Sequence, residues 1–373
     1  MKKLLIIFAV LCLAAPAMAA DWNFYGSARM ATFYSIVDKD LNNDNDTVNR
    51  TQWDQQTNSR LGATVKVNDQ IGGGFEYGTS GGNANIRKLY GTYIFGGGSE
   101  LLLGQTYVPT GQYFYSNSVF DGDGDLLGVG QFYTGRVAMV QWKTGGLKLA
   151  AVKANTPDDA EAGTVGDLDP NGAGYAVDLI IPKLEASYGF KGDAWFMDLY
   201  GGFQTYGLDY FEGNDPTITS WVGGVGGGMT FGAFYLNLGG HYAQNAGAYG
   251  AYGSGLGGLR PINDDYSIDA NQNEIDNTGY GFLAVLGFNL SDTMTIEGGG
   301  GYEYAELDVD GPAGDGESVW QVYINSTINI APGFFVVPEI GYASYDYATV
   351  LVPGQDEPKP NIFYAGAKWQ INF

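Results

Sequence analysis

The stretch "YAGAKWQINF" (Tyr364–Phe373) separates cleanly in steps of two. Phe373, Ile371, Trp369, Ala367 and Ala365 form one apolar series, and Asn372, Gln370, Lys368, Gly366 and Tyr364 form a mostly polar one. A period of two marks a strand whose faces see different surroundings.

Working outward, the same alternation returns along the chain. Trp320, Val322, Ile324, Ile328 and Ile330 oppose Gln321, Tyr323, Asn325, Thr327 and Asn329. Trp22, Phe24, Ala28 and Met30 oppose Asn23, Tyr25, Ser27 and Arg29. Sixteen such segments are expected: 22–36, 51–67, 71–80, 85–95, 99–107, 130–142, 147–154, 173–190, 194–208, 217–230, 232–245, 279–290, 293–307, 317–330, 333–347 and 360–373. Connections of a few residues, such as "KTGG", "KGD", "SDT" and "APG", alternate with long ones, and only the early "GGNA" loop is short on the long side. Tight turns on one rim and long loops on the other describe an all-β, 16-stranded antiparallel transmembrane barrel with short periplasmic turns and long extracellular loops.

A soluble sandwich also alternates. Its core would not hold Arg29, Arg60, Lys66, Glu76, Glu297, Glu303 and Lys368 unpaired, so the apolar face is the outer one and needs lipid. Aromatics at strand ends fit two interfacial girdles: Trp22, Phe95, Trp142, Phe190, Phe231, Phe288, Phe334 and Trp369 by the short turns, and Tyr107, Tyr206, Trp221, Tyr280, Trp320 and Tyr347 toward the long loops.

Residues 1–19 read as a signal peptide: Lys2 and Lys3, an apolar run too short to span a bilayer, then Ala17-Met18-Ala19. The barrel domain is then 20–373. Cys12 is the one cysteine and lies in that leader, so thiol and disulfide chemistry are not expected. The formal charge of −23 repels phosphate backbones, which excludes nucleic acid as a partner. Of the 41 acidic residues, 27 fall in the long connections, where only Lys39, Arg50, Arg260 and Lys359 are basic. A mouth of that sign concentrates cations within about a Debye length, ~8 Å at physiological salt. The basic residues concentrate in the first half: Arg29, Arg60, Lys66, Arg87, Lys88, Arg136, Lys148 and Lys153. Arg87 and Lys88 are adjacent, so alternation turns only one of them inward.

Two stretches, "DGDGDLLGVGQF" and "DKDLNNDNDTVN", have the acidic spacing of calcium loops but lack Gly at the sixth position and Glu at the twelfth, so no metal is assigned. His241 is the one histidine and no H-E-x-x-H occurs, so the chain is read as no enzyme.

The leader, the alternating strands, the loop rhythm and the ending "FYAGAKWQINF" resemble a Gram-negative porin, and the start "ADWNFYGSARM" is similar to trimeric porins of sulfate- and metal-reducing bacteria. The resemblance implies a cofactor-free, water-filled homotrimeric channel in the outer membrane, in contact with lipopolysaccharide. It passes small hydrophilic solutes and ions, with Phe373 read by the barrel-insertion machinery. It also implies that 108–129 is the constriction loop, although a "PEFGG"-type motif is lacking. Asp121, Asp123 and Asp125 of that loop would then face wall residues Arg29, Arg60 and Arg136, and Tyr113, Phe114 and Tyr115 would hold the loop to the wall. A saccharide-specific channel stays open through those aromatics. A receptor or adhesin barrel stays open through 246–278, the one candidate for a plug.

Overall fold

The computed structural model describes residues 20–40, 47–80, 83–157, 175–210, 213–310, 315–348 and 358–373; the expected signal peptide lies outside them. The first strand, β1, runs Asp21–Asp38 and pairs at one edge with β2, which is broken into Thr47–Gln55 and Arg60–Lys66. There follow β3 (Ile71–Ser80), β4 (Asn83–Ile94), β5 (Glu100–Tyr107), β6 (Arg136–Thr144), β7 (Leu147–Val152) and β8, broken into Tyr175–Asp178 and Lys183–Lys191. The far wall is β9 (Trp195–Tyr210), β10 (Thr217–Phe231), β11 (Phe234–Gln244), β12 (Asn277–Ser291), β13 (Met294–Leu307), β14 (Glu317–Ala331), β15 (Phe334–Asp346) and β16 (Asn361–Asn372).

Each strand pairs antiparallel with the next, and β16 returns to β1 with Ser27 opposite Asn372 and Asp38 opposite Asn361. Sixteen strands thus close a barrel and correspond one to one with the sixteen alternating segments. Closure leaves no unpaired edge, which hydrocarbon demands. The seam is finished by Phe373, whose amide donates to Gly26 O at 3.0 Å while the Gly26 amide donates back at 2.7 Å. A Cβ on Gly26 would sit 2.5 Å from the Phe373 ring.

The outer surface is apolar as the alternation requires: Phe24, Leu103, Val140, Leu238, Phe282, Leu286, Val322, Ile324 and Ile371 are all exposed. Among the girdle residues, Trp22, Phe95, Trp142, Phe231, Tyr280, Trp320 and Trp369 are exposed at the outside. Tyr206 and Tyr347 are not: both are buried in inward-facing clusters. Tyr206 shares its parity with the buried Gln204, so alternation already turns it away from lipid.

The break in β2 is a bulge. Residues 56–59 stand opposite only Ala28 and Arg29, and Gln56 N donates to Arg29 O at 2.9 Å. The bulge aims Asn58 into the lumen, where it meets the loop after β5.

Candidate functional site

The long connection between β5 and β6, residues 108–135, turns inward and lies against the lumen wall. Four wall carboxylates capture it. Glu185 on β8 accepts from the Thr110 amide (3.0 Å) and hydroxyl (2.8 Å). Glu297 on β13 accepts from the Asn117 amide (2.8 Å) and side chain (2.7 Å). Glu339 on β15 accepts from Ser118 Oγ (2.9 Å) and the Val119 and Phe120 amides (2.8 and 3.2 Å), and Glu303 accepts from Gly130 N at 2.8 Å. Inward glutamates that a water-filled lumen would only solvate therefore satisfy the donors of a buried loop.

Glycine runs make room for it. A Cβ on Gly226 would fall 2.3 Å from the Tyr115 ring, and one on Gly301 would fall 1.9 Å from Val129 O. Tyr115 is buried there with Leu126, Leu283, Val285 and Tyr323, and Tyr113 stacks on Tyr200 at 5.7 Å. Both tyrosines lie against the wall. Phe114 does not: it turns to the other side and is 39% exposed.

On that other side the barrel keeps a cavity of about 410 Å³, lined by Arg29, Arg60, Arg87 and Arg136 from the wall and by Asp121, Asp123 and Asp125 from the loop. All six charged residues expected at a constriction thus come together. They do not all face one another across water. Asp123 is in contact with Arg29, lies 2.8 Å from Lys368 and accepts from Asn58 at 2.9 Å. Burial raises the Asp123 carboxyl, but Lys368 and then Arg29 outweigh it and hold it below the usual range. Burial raises Asp121, and burial with the nearby Asp123 charge pushes Asp125 well up. The run "DGDGD" is explained by backbone: Asp121, Asp123 and Asp125 have φ of 55°, 64° and 48°, and Gly122 has 87°. Asp and Gly visit this left-handed region most readily. Among the described residues, no group of His, Cys, Asp and Glu is placed to hold a metal ion.

Arg87 and Lys88 both face inward. A bulge sets Glu76 opposite Lys88 and Tyr77 opposite Ile86, so Arg87 is the extra residue and strict alternation fails. Glu76, 1% exposed, gathers Arg87 (2.7 Å), Lys88 (3.5 Å), Arg60 (3.7 Å) and the Tyr25 hydroxyl (3.0 Å). One carboxylate thereby holds three cations on the wall.

The connection 245–276 also folds inward and lies on the first loop. Tyr252 N donates to Tyr133 O at 2.8 Å, Lys183 Nζ donates to Tyr249 O at 2.9 Å, and Tyr345 OH donates to Ser254 O at 3.0 Å. Arg50 reaches Gly257 O, and Arg260 pairs with Glu317 at 2.5 Å. This loop crosses the lumen from β8 to β15 and brings Tyr252 to the cavity. Tyr107, expected in the outer girdle, lines the cavity too, with the Arg136 guanidinium 5.2 Å from its ring centroid.

A closed barrel of sixteen strands, narrowed from within by the loop after the fifth, defines the fold of outer-membrane porins. The chain matches such structures over nearly its full length. The outer membrane channel DcaP of Acinetobacter baumannii superposes with a TM-score of 0.68 at 19% identity, covering 95% of this chain and 97% of that one. OmpT of Vibrio cholerae gives 0.56 at 15% identity (94% and 98%), and an anion-selective porin from Comamonas acidovorans gives 0.56 at 12% (95% and 100%). No protein-family model and no curated protein sequence matches the chain.

Proposed function

We propose that the chain is an outer-membrane diffusion channel for small hydrophilic solutes and ions, exported through the leader 1–19 and preferring cations. The observation that carries this reading is the inward loop 108–135, which leaves a charged cavity of about 410 Å³ beside it. An apolar outer wall needs lipid and an enclosed charged lumen needs water, and a channel meets both demands. Cation preference rests on the acidic mouth, whose carboxylates cations meet first. Assembly as a homotrimer, contact with lipopolysaccharide and recognition of Phe373 by the insertion machinery belong to the same reading. A trimer form is described for OmpT of Vibrio cholerae. Phe373 is 71% exposed, accessible to a partner.

Reconstitution in planar bilayers with a potassium chloride gradient tests the proposal. Stepwise conductance and a reversal potential favouring potassium, stronger at low salt, are expected. A chloride preference would mean that the four arginines of the cavity, not the mouth, govern permeation. Absence of steps would sink the channel.

A further inference from the structure

The cavity carries a second pattern besides charge. Phe114, Tyr107, Tyr133 and Tyr252 form a continuous run of rings along it. Tyr107 lies 5.7 Å from Phe114 and 6.4 Å from Tyr133, Phe114 lies 5.8 Å from Tyr133, and Tyr133 lies 6.4 Å from Tyr252. All four line the cavity, and Phe114 and Tyr252 are 39% and 49% exposed. Rings that served only to fix the loops would be covered, as Tyr115 is at 2%. These present apolar area to water inside the lumen.

The charges sort into used and unused. Arg29 is taken by Asp123, and Arg87 by Glu76 at 2.7 Å. Arg60 stands 3.7 Å from Glu76, a loose contact, and Arg136 has no carboxylate partner among the described residues, donating only to Tyr107 OH at 3.2 Å. On the loop, Asp121 and Asp125 line the same cavity and make no ion pair among the described residues. Arg136 and the loosely held Arg60 thus stand opposite Asp121 and Asp125, which make no ion pair among the described residues, with a run of rings beside them.

We infer that this cavity is a binding site for a small zwitterion bearing a flat ring, the chemistry of an aromatic α-amino acid. The carboxylate meets Arg136 and Arg60, the ammonium meets Asp121 and Asp125, and the ring lies on Phe114 and Tyr252. A solute with one charge of each sign satisfies both walls, whereas a simple anion or cation leaves one wall repelling it. A volume of about 410 Å³ falls in the range of small-molecule sites, roughly 300–1,000 Å³. Stacking supplies affinity because each ring already faces the water it would displace.

This inference rests on the channel reading, and one experiment separates their failures. Potassium chloride conductance of the reconstituted full-length protein is recorded first. L-Tryptophan, L-alanine, indole-3-acetate and tryptamine are then added in turn, and block of the current is titrated. Tryptophan is expected to block at a concentration at least about tenfold below each of the other three. Phe114→Ala and Tyr252→Ala should each weaken tryptophan block by about tenfold, the scale of one lost stacking contact. Arg136→Gln should weaken it similarly while leaving tryptamine unchanged. Equal block by alanine, or by indole-3-acetate, in a conducting channel would overturn the inference and leave the channel standing. Absence of conductance would overturn both.

Discussion

Lys368 on β16 and Asp123 in the inward loop meet at 2.8 Å, and Asp123 also touches Arg29 on β1. The side chains of Lys368, Asp123 and Arg29 are 9%, 11% and 13% exposed, so the inward loop is tied to the seam where the barrel closes. Asp123→Asn should leave two cations facing each other with no carboxylate between them. Breaking such a pair costs ~3 kcal/mol. The unheated barrel should convert to its unfolded gel band at a lower temperature than wild type. An unchanged conversion temperature would mean that the pair is solvated rather than structural.

Glu339 receives three donors from residues 118–120. Glu339→Gln keeps the shape but removes the charge behind those bonds, each of which is worth roughly 1.5–3 kcal/mol with a charged acceptor. Single-channel records should become noisy, with brief excursions to higher conductance as the loop leaves the wall. Quiet traces at the wild-type level would show that the other three glutamates suffice.

Replacing Asp121, Asp123 and Asp125 together by asparagine should lower cation preference more than it changes conductance, read from reversal potentials. Deleting 113–126 should instead raise conductance and the size limit for neutral sugars. Removing the tip of the second loop around Tyr252 should raise conductance alone, because Tyr252 borders the cavity without anchoring the first loop's carboxylate contacts. Equal effects of the two deletions would mean that the loops narrow the lumen as one unit.

The carboxyl of Asp264, in the second loop, is pushed up to about 7 by burial, then by Glu303 and Asp265. A carboxyl raised in the folded state stabilises the fold below its unfolded value near 3.8, and that contribution is lost as pH rises through about 7. The second loop should therefore sit more firmly at pH 5 than at pH 8. Amide protection across 246–276, taken relative to the base-catalysed intrinsic rate at each pH, measures this, and weaker protection at pH 5 than at pH 8 would contradict it. Asp125, raised well above the ordinary range by burial and then by the Asp123 charge, should lose its charge on acidification before an ordinary carboxylate does, moving selectivity toward anions.

The barrel was legible because lipid makes the same demand of every strand. The outward parity stays apolar from Trp22 to Ile371, and strand number, order and direction follow from it. Alternation lost its grip where the backbone departs from two residues per pleat. The bulge at Glu76 turned Arg87 and Lys88 the same way, and nothing within β4 alone announces it. In the loop there is no pleat, so Phe114 and Tyr115 could not be told apart, although one faces water and the other a glycine of β10. The second loop was noted for its length, but its seat depends on Lys183, Arg50 and Tyr345, tens to hundreds of positions away. Composition carries no trace of such partners.

The carboxylates that hold the inward loop stand far along the chain from the donors they receive. Glu303 is 173 positions from Gly130, Glu297 is 180 from Asn117, and Glu339 is 221 from Ser118. Contacts of such separation form last, because the chain between them must be ordered first. Until β13 to β15 have joined the wall, residues 117–120 and 130 lack their acceptors, and only the Thr110 end can be held, by Glu185 on β8. The barrel is thus gauged only on completion: a half-built wall encloses a wide, unguarded opening, and the act of closing the seam at Lys368 and Arg29 is also the act that sets the bore.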